Sequence, residues 1–392
     1  MTNPRLDLKM ETGMERLFAS DVEESLLLGR IMSPEGPSPV LVRKGRLFDL
    51  SGQVPTVADL LANLEPDDDL PIGIDLGPID DHDWTAQWDG AAPYLLSPID
   101  LQCIKAAGVT FAVSALERVI EERARGDASQ ANLFRDMIRE RIGGELRSVR
   151  PGSDEAERLK QLLINEGLWS QYLEVAIGPH AELFTKAPVL SSVGWGADVG
   201  IRSDSHWNNP EPEIVLVCDP RGRIRGVTLG NDVNLRDIEG RSALLLGKAK
   251  DNNASCALGP FIRLFDKGFD LEQVRQTTVD LEIVGQDNFR LEGSSSMNLI
   301  SRDPTDLVRQ TIGKNHQYPD GFVLFLGTMF APVEDRDTPG GGFTHKMGDI
   351  VRVSAPGLGT LVNRVMDCEQ APPWTFGVSA LMRNLAGRGL LR

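Results

Sequence analysis

The chain has 392 residues and a formal net charge of −16. Such an acidic surface repels phosphate backbones and anionic lipids, so we expect neither nucleic acid nor a membrane as a partner. Hydrophobic residues make up 41% and charged residues 25% of the chain, a composition typical of a globular protein with a sizeable core.

The cysteine pattern and the amino-terminal composition predict the cellular compartment of the protein. The four cysteines lie far apart and form no CxxC pair, so we expect reduced thiols rather than a zinc site or disulfides. Residues 1–21 carry charges of both signs and no apolar stretch of signal-peptide length. No run approaches the ~20 apolar residues of a membrane span. The cytoplasm is therefore the expected location.

Residues 1–95 are predicted to form a smaller α+β domain. Apolar runs at 26–28 and 40–42 indicate two short strands on either side of a proline-rich turn at 33–37. The segment 56–64 predicts a short helix with its apolar residues on one face.

Residues 96–392 are predicted to form the catalytic domain, which includes a helical segment at 115–167. Three apolar stripes recur at helical spacing there, and Ser153 followed by two acidic residues indicates a helix N-terminus. We expect all three stripes to pack in the core. They comprise Leu116, Val119 and Ile120, then Leu133, Phe134, Met137 and Ile138, then Leu159, Leu162 and Leu163.

From residue 182 onward the chain is rich in short β-type runs separated by Gly, Pro, Asn and Asp. The clearest strands are predicted at 213–218, 279–284, 322–326 and 349–353. This pattern is typical of a β-dominated barrel or rolled sheet rather than a doubly wound fold. The predicted fold class is therefore β-dominated α+β.

Three carboxylates are predicted to converge at the base of a β-hairpin. Glu211 and Glu213 lead into a buried strand and, because side chains alternate along a strand, point to the same face. The segment 219–222 predicts a turn, and the return strand ends at Asp232. A turn centred in the middle of that segment would set Asp232 level with Asn209, within reach of an ion shared with Glu211.

The charge of this cluster predicts a cation. Carboxylates held close together repel one another, and a divalent cation removes that cost. An all-oxygen donor set favours Mg²⁺, with Mn²⁺ or Ca²⁺ as alternatives, over zinc. The spacing alone leaves an exposed acidic hairpin base as the other interpretation.

The hairpin sequence resembles the fumarylacetoacetate hydrolase superfamily. The similar stretches are EPEIVLVCDPRGRIRGVTLGNDVNLRDIEG at 211–240, AKDNNASCALGPFI at 249–262, FLGT at 325–328 and FTHKMGDIVRVSAPGLGTLVNRV at 343–365. The resemblance covers roughly residues 100–392. It implies a β-roll-like catalytic domain with an amino-terminal α+β appendage, assembled as a homodimer or homotetramer.

The resemblance also implies roles for single residues. The three hairpin carboxylates take the family's metal-ligand positions. Lys250 resembles the lysine that faces bound substrate, and Lys186 resembles the second lysine before the metal strand. Thr328 resembles a contact to the substrate carboxylate. Arg236 occupies the family's Arg-Asp pair, where it makes either a substrate contact or a structural ion pair.

One departure from the family pattern changes the implied chemistry. Hydrolases of the superfamily carry a histidine in Gly-x-Asn-Tyr-x-x-His, paired with a glutamate three residues later. Here Ser114 stands at the histidine position and Glu117 at the glutamate position. A serine cannot act as a near-neutral base without a partner of its own, which weakens the prediction of C–C hydrolysis. Ser114 is expected to contact substrate instead.

The segment around Ser114 and two others resemble another branch of the superfamily. Residues 107–127, 169–179 and 203–210 are similar to 2-keto-3-deoxy-D-xylonate dehydratases, whose substrate also arises from D-arabinonate. This likeness implies a small 2-keto-3-deoxy sugar acid as substrate, 2,5-dioxopentanoate (α-ketoglutarate semialdehyde) as product, and a place in oxidative pentose degradation.

A dehydration of this kind needs a Lewis acid that stabilises an enolate, a base and an acid. The candidates for proton transfer are Lys250, Lys186 and Glu117, and we expect desolvation near a cation to lower a lysine's pKa. Either lysine could instead only neutralise the substrate carboxylate. An acylpyruvate-type C–C hydrolase and a keto-acid decarboxylase are the alternative functions.

Overall fold

The computed structural model describes most of the chain. The described residues are 17–391 without 19–20, 66–69, 91, 126, 128, 132–148, 331, 333, 338 and 340–341. The predicted apolar stripe at 133–138 lies outside the described residues. Within the described part, no helix combines the length and the hydrophobicity that a membrane crossing requires.

Strands dominate the described part of the chain. In chain order they are β1 Leu26–Ser33, β2 Gly36–Arg43, β3 Arg46–Asp49, β4 Ile74–Pro78, β5 Tyr94–Leu95, β6 Cys103–Gly108, β7 Glu182–Ala187, β8 Ala197–Ile201, β9 Asn208–Asn209, β10 Pro212–Cys218, β11 Ile224–Asp232, β12 Asn234–Leu235, β13 Cys256–Leu264, β14 Thr278–Val284, β15 Arg290–Ser296, β16 Phe322–Phe325, β17 Ile350–Ala355 and β18 Gly359–Asp367.

Helices are mostly short. They are α1 Val57–Asn63, α2 Ala112–Ala124, α3 Asp154–Asn165, α4 Gln171–Ile177, α5 Arg236–Glu239, α6 Leu246–Lys250, α7 Leu271–Gln276, α8 Pro304–Thr311 and α9 Val378–Gly387. The predicted β-dominated α+β class is therefore confirmed, with strands in every region where the sequence predicted them.

Two large sheets organise the described part of the chain. The larger follows the order β4-β3-β2-β1-β13-β11-β10-β16-β6-β7, with β5 paired to β1. The smaller follows the order β15-β14-β17-β18-β8. The larger sheet crosses residue 95 without a break, because β1 pairs with β13 through Leu27 opposite Arg263 and Leu28 opposite Ile262. The division into domains at residue 95 stays a prediction.

Alternating side chains of β10 fill two separate cores. Ile214 and Leu216 point into a core shared with the smaller sheet, where they join Leu281 and Val353. Val215 points to the opposite face, into a core that includes helix α1. This two-sided burial explains why β10 is an uninterrupted apolar run, and it ties the register of the strand to both cores.

The helical region packs around its own apolar cluster. Helices α2, α3 and α4 contribute buried residues to one core, and the Ser153 hydroxyl accepts a hydrogen bond from the Ala156 N–H at 3.2 Å, as the predicted N-cap requires. The predicted third stripe is partly wrong. Leu159 and Leu163 are buried, but Leu162 is 45% exposed because it lies on the solvent side of α3.

The predicted hairpin is β10–β11, but its register differs from the expectation. The Asp232 N–H donates to the Glu211 carbonyl at 3.0 Å, so Asp232 lies level with Glu211 rather than with Asn209. The difference arises because the connection takes five residues, Asp219–Arg223, and a bulge follows Val217. In the observed register Asp232 lies opposite Glu211, so the three carboxylates are closer together than they would be in the predicted register.

The hairpin turn is held by Asp219, whose side chain is completely buried. Its carboxylate accepts from the Arg221 and Arg223 backbone N–H groups at 2.8 and 3.0 Å. It also accepts from the Nε atoms of Arg223 at 2.6 Å and Arg225 at 2.9 Å. Asp219 therefore organises the loop that sets the register of β10 and β11, the two strands beside the three carboxylates.

We expect Asp219→Asn to lower the free energy of unfolding by about 1–3 kcal/mol, because the amide keeps an acceptor for the turn but loses the charge that faces two guanidinium groups. Urea unfolding measures the change. Asp266→Asn is the matched control, since Asp266 accepts from the Gly268 and Phe269 N–H groups in another turn. Equal effects of the two substitutions would contradict the importance of the arginine pairs.

Candidate metal centre

Three buried carboxylates meet at the open end of the β10–β11 hairpin. One oxygen of each of Glu211, Glu213 and Asp232 lies within 4.8 Å of the others. Their exposed fractions are 6, 3 and 2%. The alternative interpretation of an exposed acidic hairpin base is therefore excluded.

Glu213 carries the clearest electrostatic sign of a cation site. Burial raises the pKa of its carboxyl well above the ordinary value, and the neighbouring Asp232 and Glu211 carboxylates raise it further. Its Oε2 atom accepts a 2.6 Å hydrogen bond from the Gly327 N–H, at a glycine with φ of +84°. A positive charge among these oxygens would offset the repulsion that this pKa records.

Lys250, at the end of α6, faces two of the three carboxylates. Its Nζ donates to Glu211 Oε2 and, at 3.1 Å, to Asp232 Oδ2. Burial lowers the pKa of the ammonium, but the Asp232, Glu211 and Glu239 carboxylates outweigh burial, and the net shift is upward. The expected lowering of this pKa does not arise from the protein groups, because carboxylates surround the amine.

Lys186 lies behind the triad instead of facing the cavity. Its side chain is completely buried, and its Nζ lies 2.9 Å from Asp232 Oδ1. The same Nζ donates to the Lys250 carbonyl. These contacts connect strand β7 to helix α6 and orient Asp232.

Arg118, on α2, joins the triad to the helical region and was not predicted from the sequence. Its Nη2 donates to Glu211 Oε1 at 2.8 Å, and its Nη1 lies 2.6 Å from Glu121 Oε2 and 2.7 Å from Glu239 Oε2. The pKa of Glu239 is about 7, raised chiefly by burial and lowered in part by Arg118.

Arg236 is the centre of a second set of contacts on the cavity wall. Its Nε donates to Glu121 Oε1 at 2.7 Å, and its Nη2 lies 3.6 Å from Glu117 Oε2. Its Nη1 donates to the Pro332 carbonyl at 3.2 Å, and its guanidinium stacks 4.2 Å from the Trp207 ring centre. With these partners, the guanidinium is held firmly in place.

Ser114 and Thr328 both line the cavity. The Ser114 hydroxyl donates to the Phe111 carbonyl at 2.8 Å and accepts from the Phe111 N–H at 3.3 Å. This pair of bonds closes the first turn of α2 and occupies the hydroxyl. Thr328 follows Gly327 directly, and its Oγ1 accepts from the Phe330 N–H at 3.1 Å.

Glu182 is a second cavity residue that the sequence did not reveal. It begins strand β7, where it pairs with Gly108 of β6, and it lines the cavity. A Cβ atom at Gly108 would lie 2.2 Å from Glu182 Oε2, so a side chain there would displace the Glu182 carboxylate from its present position. Burial raises the pKa of Glu182, and the Glu211 and Asp232 carboxylates add to the rise.

The cavity has about 570 Å³ of empty space when the part open to solvent is counted, and the centre of a water molecule can occupy about 40 Å³ of it. Seven carboxyl groups line it in the described part of the chain, against three cationic side chains, and Lys186 adds a fourth cation behind Asp232. The residues present therefore fit a hard divalent cation, because the donors are all oxygen and the wall holds an excess of negative charge. The cavity-lining carboxyl groups are Glu117, Glu121, Glu182, Glu211, Glu213, Asp232 and Glu239.

Sequence comparison relates this region to known enzymes. Residues 180–366 match the family model described as fumarylacetoacetate (FAA) hydrolase, C-terminal. The 2-dehydro-3-deoxy-D-arabinonate dehydratase of Saccharolobus solfataricus is 32% identical over 194 residues, which are 50% of this chain and 61% of that protein. A Haloferax volcanii protein named "Probable 2-keto-3-deoxyxylonate dehydratase" is 30% identical over 194 residues, 50% of this chain and 63% of the relative. Both alignments thus span less than two thirds of the relatives' length.

Comparison with solved structures confirms the predicted β-roll-like fold. A 2-keto-3-deoxy-D-arabinonate dehydratase complexed with magnesium and 2,5-dioxopentanoate superposes with a TM-score of 0.62 and 23% identity, over 87% of this chain and 99% of that one. The fumarylacetoacetate hydrolase of Exiguobacterium antarcticum gives a TM-score of 0.53 and 18% identity, over 88% of this chain and 100% of that one.

Proposed function

We propose that this chain is a metal-dependent dehydratase of 2-keto-3-deoxy sugar acids, and the match of residues 180–366 to the fumarylacetoacetate hydrolase family model supports this proposal. The proposed reaction converts 2-keto-3-deoxy-D-xylonate, which is also 2-keto-3-deoxy-D-arabinonate, into 2,5-dioxopentanoate and one water. The two relatives named as dehydratases of this substrate class support the proposal.

The observation that carries the proposal is a carboxylate-lined cavity, suited to a metal ion, without the histidine that activates water in the superfamily's hydrolases. Among the described residues that line it there is no histidine, and the Ser114 hydroxyl is already engaged by the Phe111 backbone. A serine held in this way cannot activate water for C–C hydrolysis. Dehydration needs no such water, only an acid, a base and a Lewis acid.

Glu211, Glu213 and Asp232 would hold the cation, with Mg²⁺ as the proposed metal and Mn²⁺ or Ca²⁺ as substitutes. The bound cation supplies Lewis-acid polarisation of the 2-keto group and neutralises part of the site's negative charge. Lys186 orients Asp232, and Arg118 orients Glu211, so both serve as positioning residues.

Two groups are proposed for proton transfer. Lys250 carries a proton on Nζ at the cavity wall and would donate it toward the departing C4 hydroxyl. Glu182 would take the C3 proton, because its carboxyl lines the cavity and burial raises its pKa above the ordinary value, which makes the carboxylate a stronger base. Glu117, the carboxylate predicted from the sequence, lies 3.6 Å from Arg236 and would position that guanidinium.

The substrate carboxylate is proposed to lie near Thr328. This residue lines the cavity beside Gly327, whose N–H is bonded to Glu213, so a ligand there would sit close to the metal oxygens. Ser114 and Arg236 remain proposed substrate contacts through the faces that they present to the cavity.

The cellular setting is part of the same proposal. The four cysteines are free thiols, which supports a reducing compartment such as the cytoplasm. A homodimer or homotetramer is the proposed assembly, and oxidative pentose degradation is the proposed pathway.

A direct assay tests the proposal. With 2-keto-3-deoxy-D-xylonate and Mg²⁺, we expect aldehyde to form, measured through a coupled aldehyde dehydrogenase, and we expect activity to fall at least 100-fold in excess chelator. Re-addition of Mg²⁺ should restore it. Full activity in chelator would contradict the metal, and pyruvate release from an acylpyruvate or from oxaloacetate in place of aldehyde would contradict the dehydratase.

A further inference from the structure

Two buried asparagines beside the metal carboxylates have no use in the chemistry described so far. Asn209 of β9 and Asn234 of β12 are direct cross-strand partners, and both line the cavity. Asn234 has an exposed fraction of 0% and Asn209 of 3%. These two side chains are called the amide pair below.

The amide pair has unfilled hydrogen-bonding capacity. Asn234 Nδ2, Asn234 Oδ1 and Asn209 Oδ1 have no hydrogen-bond partner among the described residues, whereas Asn209 Nδ2 donates to the Pro210 carbonyl at 2.8 Å. A buried polar atom without a partner is costly, so such atoms in a cavity wall point to a ligand. One donor and two acceptors suit a hydroxyl group, which both donates and accepts.

The position of the amide pair relates it to the cation site. Asn209 precedes Glu211 by two residues and Asn234 follows Asp232 by two, although the amide pair belongs to the short β9–β12 sheet, which is separate from the sheet that contains β10 and β11. Both asparagines and all three carboxylates line the same cavity, so a single ligand could contact the amide pair and the cation site. A five-carbon keto acid whose C1–C2 end lies at the carboxylates would extend its hydroxyl-bearing end toward the amide pair.

We propose that the Asn209–Asn234 pair binds the C5 hydroxyl of the substrate and thereby selects hydroxylated over plain 2-keto acids. This inference rests on the proposed function for the identity of the substrate. An amide is not a proton donor for catalysis, so the pair suits the hydroxyl that stays on C5 and not the C4 hydroxyl that leaves. The neutral side chains also match a neutral group in a wall that is otherwise largely charged.

The test compares two ligands that cannot be dehydrated, because neither has a C4 hydroxyl. These are 5-hydroxy-2-oxopentanoate and 2-oxopentanoate, titrated calorimetrically in the presence of Mg²⁺. We expect the native chain to bind the hydroxylated ligand at least tenfold more tightly, about tenfold for each good hydrogen bond. Asn234→Leu, close in shape but without polar atoms, should abolish the preference, and Asn209→Ala should reduce it.

Controls separate hydroxyl binding from support of the metal. Mn²⁺ affinity, measured by electron paramagnetic resonance, should change less than about threefold in Asn234→Leu. Asn63→Leu, at an exposed position on α1 that bonds Asp59, should keep the full preference. The inference would be overturned if the native chain bound both ligands equally, or if both variants kept the preference. A loss of Mn²⁺ affinity in Asn234→Leu that paralleled the loss of preference would also overturn it.

The outcome is independent of the dehydration assay. A native chain that shows the preference but forms no aldehyde would contradict the proposed function and leave the amide pair as a hydroxyl site. A chain that forms aldehyde without the preference would contradict only the role of the amide pair.

Discussion

Replacing Glu213 with glutamine is expected to abolish activity while leaving the cation-free chain at least as stable as the native one. The substitution removes a proposed metal ligand, so we expect kcat/KM to fall by about 10³-fold or more and Mn²⁺ affinity by roughly 10²-fold. The amide oxygen can still accept the Gly327 hydrogen bond, so the hairpin end is retained. Calorimetric Mn²⁺ titration and the aldehyde assay measure the two losses.

The stability part of this prediction follows from the sign of the pKa shift. The folded pKa of Glu213 lies above the unfolded value of ~4.3, so the native, cation-free chain loses stability as pH rises through the interval between the two. Glutamine does not ionise, and the variant should lack this loss in thermal unfolding at neutral pH. Glu292→Gln, at an exposed position on β15, is the control and should change neither property. A variant that keeps metal affinity would remove Glu213 from the ligand set.

Lys250→Met is expected to lower kcat by about 10²–10⁴-fold, the range for loss of a general acid. Methionine fills similar space but can neither donate a proton nor balance Glu211 and Asp232. Steady-state kinetics with saturating Mg²⁺ measures the change. A normal kcat with a raised KM would instead make Lys250 a group that only binds the substrate.

Lys248→Met is the matched control for Lys250→Met. Lys248 lies on the same helix, two residues earlier, but it is exposed and its Nζ lies 3.1 Å from Asp204. We expect less than a twofold change in kcat, because no contact connects this ammonium to the triad carboxylates. A large effect of Lys248→Met would mean that α6 is disturbed by any substitution there.

The sequence predicted the hairpin and its carboxylates because strand alternation and turn chemistry are local properties. Glu211 and Glu213 share a face whatever the rest of the chain does. The residue that lies opposite Asp232 could not be predicted in the same way, because the register depends on the length of the loop that Asp219 organises and on the bulge after Val217.

The remaining wall of the cavity depends on contacts between distant segments. Arg118 meets Glu211 across 93 residues, and Glu182 reaches the site through the pairing of β6 with β7. The sequence did contain one local indication that α2 contributes to the cavity. Glu117 and Glu121 are four residues apart and therefore lie on one face of the helix. Their burial, however, depends on tertiary packing that a single sequence does not encode in its spacing.

The pairing of β1 with β13 has a consequence for handling shortened forms of this chain. A fragment that began at residue 96 would leave β13, which runs through the centre of the larger sheet, with an unpaired edge of backbone N–H and C=O groups. Exposed apolar edges of this kind pair with other chains. We therefore expect the amino-terminal strands to protect the part of the chain that carries the three carboxylates against aggregation.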